Sequence, residues 1–206
     1  MVVGEEFVWM HFPKTAGHAV ELALRAATRG RRDIVFDQRG VHDDRWHDSL
    51  HERRLRDRSF DPSGKVVIAG FRRLPWWILS RVHYEASRPP HRWAPREMIQ
   101  DGLFFEQSGE VGKADNHAAM FADCPVHRWL RTEHLREDFV ACFGDILGPA
   151  AAKACRKLDR KVNQTRLRYV ERLDFYFTSA ELRRLYEANP VWAQVERELY
   201  GGLLGD

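Results

Sequence analysis

The residues best placed to do chemistry lie early in the chain, in the stretch HFPKTAGHAV at positions 11–20. An ammonium (Lys14) and a hydroxyl (Thr15) stand between a proline that stiffens the turn (Pro13) and a glycine that permits close backbone approach (Gly17). A helix starting there would aim its first N–H groups and the positive end of its dipole at the same turn. That combination is a cradle for an anion; the plainer alternative is an ordinary strand-to-helix turn with a surface lysine. It is not a Walker A loop, because GxxxxGK[ST] is absent and the lysine precedes the glycine. A second concentration of chemistry is FDQRGVHDDRWHD at 36–48, where imidazoles stand beside carboxylates. Imidazole suits proton abstraction near neutral pH because its unperturbed pKa is about 6.5. The pattern HDDxxHD lacks the spacing of a strong metal motif, and no metal is expected. Cys124, Cys142 and Cys155 are odd in number and lack metal-ligand spacing. They argue against a disulfide framework and favour a reducing compartment.

These side chains need elements to hold them. The apolar run 7–12 (FVWMHF), broken by Pro13, predicts a buried strand. Val20, Ala23, Leu24 and Ala27 recur at helical spacing and predict a helix ended by Gly30. Residues 33–37 (DIVFD) read as a second short strand, 38–62 as a polar stretch with a helix around 48–57, and 65–71 (KVVIAGF) as the clearest buried strand. Pro75 suits a helix start, with Ile78, Leu79 and Val82 on one face. Residues 87–112 are loop-rich, a helix follows near 113–122, and 125–131 is a weaker strand. The next helix carries Leu135, Phe139, Cys142 or Phe143, and Ile146, and a basic stretch at 153–168 precedes the last helices. There Thr178 and Glu181 have capping-box spacing, and Asn189-Pro190 breaks the run. This alternation predicts one domain over 1–206, a three-layer α/β/α fold with a parallel sheet covered on both faces. Ligands of such sheets bind at the carboxyl ends of the strands.

Composition narrows the function classes. At 206 residues, 44% hydrophobic and 31% charged, the chain suits a globule with a sizeable core rather than a disordered or collagen-like protein. No apolar run approaches the roughly 18 residues of a membrane span, and MVVGEEFVWM lacks the layout of a signal peptide, so the expected location is cytoplasmic. A net charge of +3 is too small for a general nucleic-acid coat. Yet 27 of the 33 basic residues are Arg, the side chain favoured for bidentate phosphate or sulfate contacts. Either an anionic ligand or an Arg-preferring genome accounts for that bias.

The loop HFPKTAG followed by a helix resembles the 5′-phosphosulfate loop of sulfotransferases, PKT(G/A)GT(S/T), most closely the carbohydrate-type branch that includes uronyl 2-O-sulfotransferases. The resemblance implies a fold similar to nucleotide kinases and the donor 3′-phosphoadenosine-5′-phosphosulfate (PAPS), which leaves as PAP. It implies that Pro13, Lys14, Thr15, Ala16, Gly17, His18 and Ala19 bind the phosphosulfate. Lys14 would then stabilise the bridging oxygen, where charge accumulates as the S–O bond breaks. His18 and Ala19 replace the usual hydroxyl pair, which removes side-chain donors and leaves backbone ones; His18 is a substitute donor. The stretch GFRRLPWWILSRVHY at 70–84 is similar to the family's 3′-phosphate motif, with Arg72 and Ser80 at its spacing of eight. Pro75 lies three residues after Arg72 instead of two, so Arg73 is the alternative reader. WLRTEHLREDF at 129–139 and KVNQTRLR at 161–168 are similar to later family segments, with Glu133 ordering the site and Arg166 and Arg168 reaching the 3′-phosphate.

The same resemblance places the general base in segment 36–48, with His42 first, oriented by Asp43 or Asp44, and His47 in reserve. His117, His11, Glu97 and Glu106 remain weaker alternatives. Trp46, Trp76, Trp77 and Trp93 are candidates to line an acceptor groove, Trp76 and Trp77 being better suited to the core. The acceptor is a carbohydrate, glycolipid or small-metabolite hydroxyl, with no nucleic-acid partner. Two rivals stay open: a phosphoryl-transferring nucleotide kinase, against which the missing Walker lysine speaks, and a non-catalytic nucleotide- or partner-binding protein.

Overall fold

The computed structural model describes residues 1–37, 44–90, 92–121, 125–159, 167 and 169–205. The chain forms two compact units, one of Met1–Phe71 and Met120–Asn163, the other of Arg72–Ala119 and Gln164–Asp206.

The first unit is a mixed α/β layer structure with a mostly parallel sheet. Its strands are β1 (Val2–Val3), β2 (Phe7–Met10), β3 (Val35–Phe36), β4 (Val66–Phe71) and β8 (Arg128–Arg131), in the order β3-β1-β2-β4-β8. β2, β4 and β8 are parallel neighbours, with Met10 opposite Ala69 and Phe71 opposite Arg131. β1 is antiparallel to both β2 and β3. Four strands therefore run one way, and β1 alone runs against them. The parallel sheet expected from sequence holds for β2, β3, β4 and β8, and β1 is the exception. The three residues between β1 and β2, closed by Gly4 N–H donating to the Phe7 carbonyl at 2.8 Å, allow only a hairpin, because a parallel pair needs a long crossover. β3 keeps the expected direction but pairs with β1.

Alternation along β2 puts Phe7 and Trp9 on one face and Val8 and Met10 on the other, and both faces are buried. Phe7 and Trp9 join α1 (Gly17–Ala27), α5 (Leu135–Leu147) and α6 (Pro149–Ala154) in a single apolar cluster. Val8 and Met10 pack with Leu50 of α2 (Leu50–Arg56) and with Phe60, Phe121 and Trp129. Ser49 and Glu52 form a capping box that starts α2.

The second unit holds α3 (Leu74–Ala86), a three-stranded antiparallel sheet of β5 (Ile99–Gln100), β6 (Leu103–Phe105) and β7 (Val111–Gly112), α4 (Ala114–Ala118), α7 (Ser179–Ala188) and α8 (Pro190–Tyr200). Its core is aromatic: Trp77 lies 5.8 Å from Phe104, edge-on, and 4.8 Å from Trp192. The capping box of Thr178 and Glu181 starts α7 as the spacing predicts. After Asn189 the chain restarts as α8, because Asp115 accepts from the Val191 and Trp192 N–H groups at 3.0 and 2.9 Å. Among the described residues no helix is long and apolar enough to cross a membrane.

Candidate functional site

In the first unit the shared strand direction puts the ends of β2, β4 and β8 at one edge of the sheet. The loop 11–16 leaves from that edge and leads into α1. Two of its non-glycine residues have left-handed backbones, Lys14 at φ 64° and Ala16 at φ 61° and ψ 20°. Each costs about 1–2 kcal/mol against a right-handed conformation. Such strain persists only where the surroundings over-determine it. Here Thr15, between the two, is 1% exposed, and its hydroxyl donates to the Phe12 carbonyl at 2.8 Å. A Cβ on Gly70, in β4, would fall 2.4 Å from that hydroxyl, so the loop lies directly on a strand position that must be glycine. The Thr15 hydroxyl therefore holds the loop shape, and what this residue can offer an anion is its backbone.

Ala16 is the N-cap of α1, and no side chain caps the helix there. A helix start without a side-chain acceptor, opening on a glycine and preceded by a half-buried lysine, can receive an anion through backbone donors and a cation. Of the residues in the family's hydroxyl positions, Ala19 is buried in the unit. His18 is half-buried with its Nδ1 3.8 Å from the Glu21 carboxylate one turn along.

From outside the loop, His47 reaches back to its first residue. It is exposed at the end of a 3₁₀ turn (Asp44–His47), and its Nδ1 contacts the His11 carbonyl at 3.2 Å. A carbonyl only accepts, so Nδ1 carries the proton and Nε2 is the basic nitrogen. Neighbouring Asp48 is 3% exposed, burial pushes its carboxyl up, and Arg56 stands 3.4 Å away. Trp46 is corrected: at 6% exposure it packs edge-on to Trp9 at 6.0 Å, in the core instead of an acceptor groove. His42, Arg166 and Arg168 lie outside the described residues. Glu133 is exposed in the 3₁₀ turn before α5.

In the second unit, Arg72 and Arg73 differ sharply. Arg73 donates to Glu196 and to the Gly202 carbonyl, both at 3.1 Å, and its guanidinium lies over the Tyr200 ring. Glu196 is 0% exposed and also accepts from the Leu74 N–H at 2.7 Å and the Tyr186 hydroxyl at 2.9 Å. Burial pushes its carboxyl up, against the pull of these donors. Arg73 thus ties the start of α3 to α8. Arg72 has its carbonyl held by the Trp192 indole N–H at 3.1 Å, while its buried Nε has no hydrogen-bond partner among the described residues. Ser80 lies half-buried on the stripe of α3 that carries Trp76 and exposed Tyr84.

The other candidates in this unit have structural surroundings. His117 packs 5.1 Å from Trp77, Glu106 pairs with Arg81, and Glu97 accepts from the Ala94 N–H at 2.7 Å. Trp77 is core, Trp76 is half-buried near Tyr169, and Trp93 is exposed. Sequence reasoning missed Glu196 and the His11–His47 contact. Neither has a local signal, since each depends on partners tens of residues away.

Compared with protein-family models, with curated proteins and with solved structures, the chain has no match.

Proposed function

We propose that the chain transfers a sulfuryl group from PAPS to the hydroxyl of a carbohydrate, glycolipid or small metabolite. The observation that carries this reading is the strained loop of Lys14 and Ala16 closing on an uncapped α1 start, with an exposed imidazole beside it. The donor supplies an activated sulfuryl group on a phosphate leaving group. Backbone N–H groups at the start of α1 hold the 5′-phosphate, and the Lys14 ammonium offsets the charge growing on the bridging oxygen. His47 Nε2 takes the acceptor proton as the new S–O bond forms and the bridging S–O bond breaks. For the 3′-phosphate the residues assigned are Arg72 and Ser80. What supports Arg72 over Arg73 is that Arg73 already serves Glu196, Gly202 and Tyr200.

Thermal stabilisation by PAP compared with Mg-ATP tests the reading. A ligand at 100 times its Kd adds about 2.7 kcal/mol, which in a chain of this size raises Tm by roughly 5–11 °C. The expected result is a shift with PAP. A shift with Mg-ATP alone would assign a kinase, and none with either would assign a partner-binding protein.

A further inference from the structure

We propose that His11 is the positioning residue for His47 and sets its distance from the anion loop. The kinetic meaning of this rests on the sulfuryl-transfer reading; the geometry does not. His11 directly follows β2 and is 8% exposed. Its ring stacks on Trp9 at 5.5 Å and meets the Trp46 ring at 4.6 Å, which anchors it to the core. The His47 ring lies 4.5 Å from it, tilted by 31°. Its carbonyl is the acceptor for His47 Nδ1 at 3.2 Å.

An imidazole needs two restraints to serve as a base: a hydrogen bond that fixes its tautomer and a surface that fixes its plane. His11 supplies both, the first from its backbone and the second from its ring. The ring also packs on Gly17: a Cβ there would fall 1.6 Å from His11 Cδ2 and 1.7 Å from Nε2. Gly17 has an ordinary helical backbone, so its φ does not require glycine. The requirement comes from the imidazole pressed on it. The spacing between His47 and the first residue of α1 is thus set by the ring of His11.

Nitrogen-15 NMR of the His47 imidazole in the full chain tests this, with His11→Ala removing the wedge, His11→Phe restoring a flat ring, and Gly17→Ala displacing the wedge from its other side. In the wild type the Nδ1–H form should dominate and the His47 signals should move when PAP is added. His11→Ala and Gly17→Ala each free the plane of the His47 ring and so misalign its Nδ1–H on the carbonyl of residue 11. Each should mix the tautomers and reduce the PAP-induced shift by about half or more, and His11→Phe should restore both. PAP affinity by calorimetry should change less than about threefold in His11→Ala, because the backbone cradle is retained. In melting experiments the Tm loss of Gly17→Ala should be recovered in His11→Ala/Gly17→Ala, since residues in contact are not additive. Wild-type tautomer populations in both His11→Ala and Gly17→Ala, or strictly additive Tm losses, would overturn the proposal. If PAP does not bind the wild type, the sulfuryl-transfer reading fails, and the tautomer and melting comparisons still decide the role of His11.

Discussion

Replacing Arg72 and Arg73 one at a time should produce opposite phenotypes, although the two residues are adjacent and identical in type. Arg73→Ala leaves Glu196 buried without its guanidinium. Breaking a buried ion pair costs about 3–5 kcal/mol. The Arg73 side chain is 19% exposed, and Glu196 keeps the Leu74 N–H and the Tyr186 hydroxyl, so the expected loss is nearer 2–3 kcal/mol. In a chain of this size that lowers Tm by roughly 4–12 °C.

The loss should also depend on pH. Burial already raises the Glu196 carboxyl above its unfolded value of about 4.3. A group raised in this way contributes stability that is fully present below the unfolded value and is lost as pH climbs through the folded one. Without Arg73 the folded value climbs further, so the gap between variant and wild type should be small near pH 4–5 and widen toward pH 8. Arg72→Ala should leave stability within about 1 kcal/mol, because its buried Nε has no hydrogen-bond partner among the described residues to lose. It should instead cut the preference for PAP over AMP, which lacks the 3′-phosphate. A charge-assisted hydrogen bond of about 1.5–3 kcal/mol corresponds to a fall in the Kd ratio of roughly 10- to 150-fold. Urea melts at two pH values and calorimetry with the two nucleotides measure both effects. A preference lost in Arg73→Ala and kept in Arg72→Ala, or a pH-independent loss of stability, would refute the reasoning.

Lys14→Ala should slow PAP release from PAPS about 100-fold or more while PAP binding weakens much less, because the loss falls on the transition state; unchanged turnover at saturating PAPS removes Lys14 from the mechanism. His47→Ala should lower turnover roughly 10²–10⁴-fold and abolish the acidic limb of the pH–rate profile. The same behaviour in His42→Ala, with His47→Ala near wild type, would move the base to His42. The Cys142 thiol, buried and pushed up to about 12 mainly by desolvation, should resist a thiol-specific reagent in the native protein and react on unfolding. Labelling of Cys142 in native protein, mapped by mass spectrometry, would contradict its burial.

Local pattern determined much of this protein. Strands at 7–10, 66–71 and 128–131, helices opening near Gly17, Pro75 and Thr178, and the restart at Pro190 all follow from periodicity, proline and capping chemistry, which act over a few residues. The loop 13–17 was legible for the same reason, since its residue types and spacing are contiguous. Tertiary structure decided what depends on distant partners. It inserted β1 between β2 and β3, a pairing that a two-residue strand does not announce. It sent Trp46 into the core against Trp9, although Trp46 lies in a polar stretch. It separated Arg72 from Arg73 through a glutamate more than 120 residues along the chain. It also brought His47 back to the carbonyl of His11, 36 residues earlier. Helix and strand periods are set by the backbone's own geometry, whereas the partner of a buried charge or an imidazole is set by which distant segments each folded unit brings together.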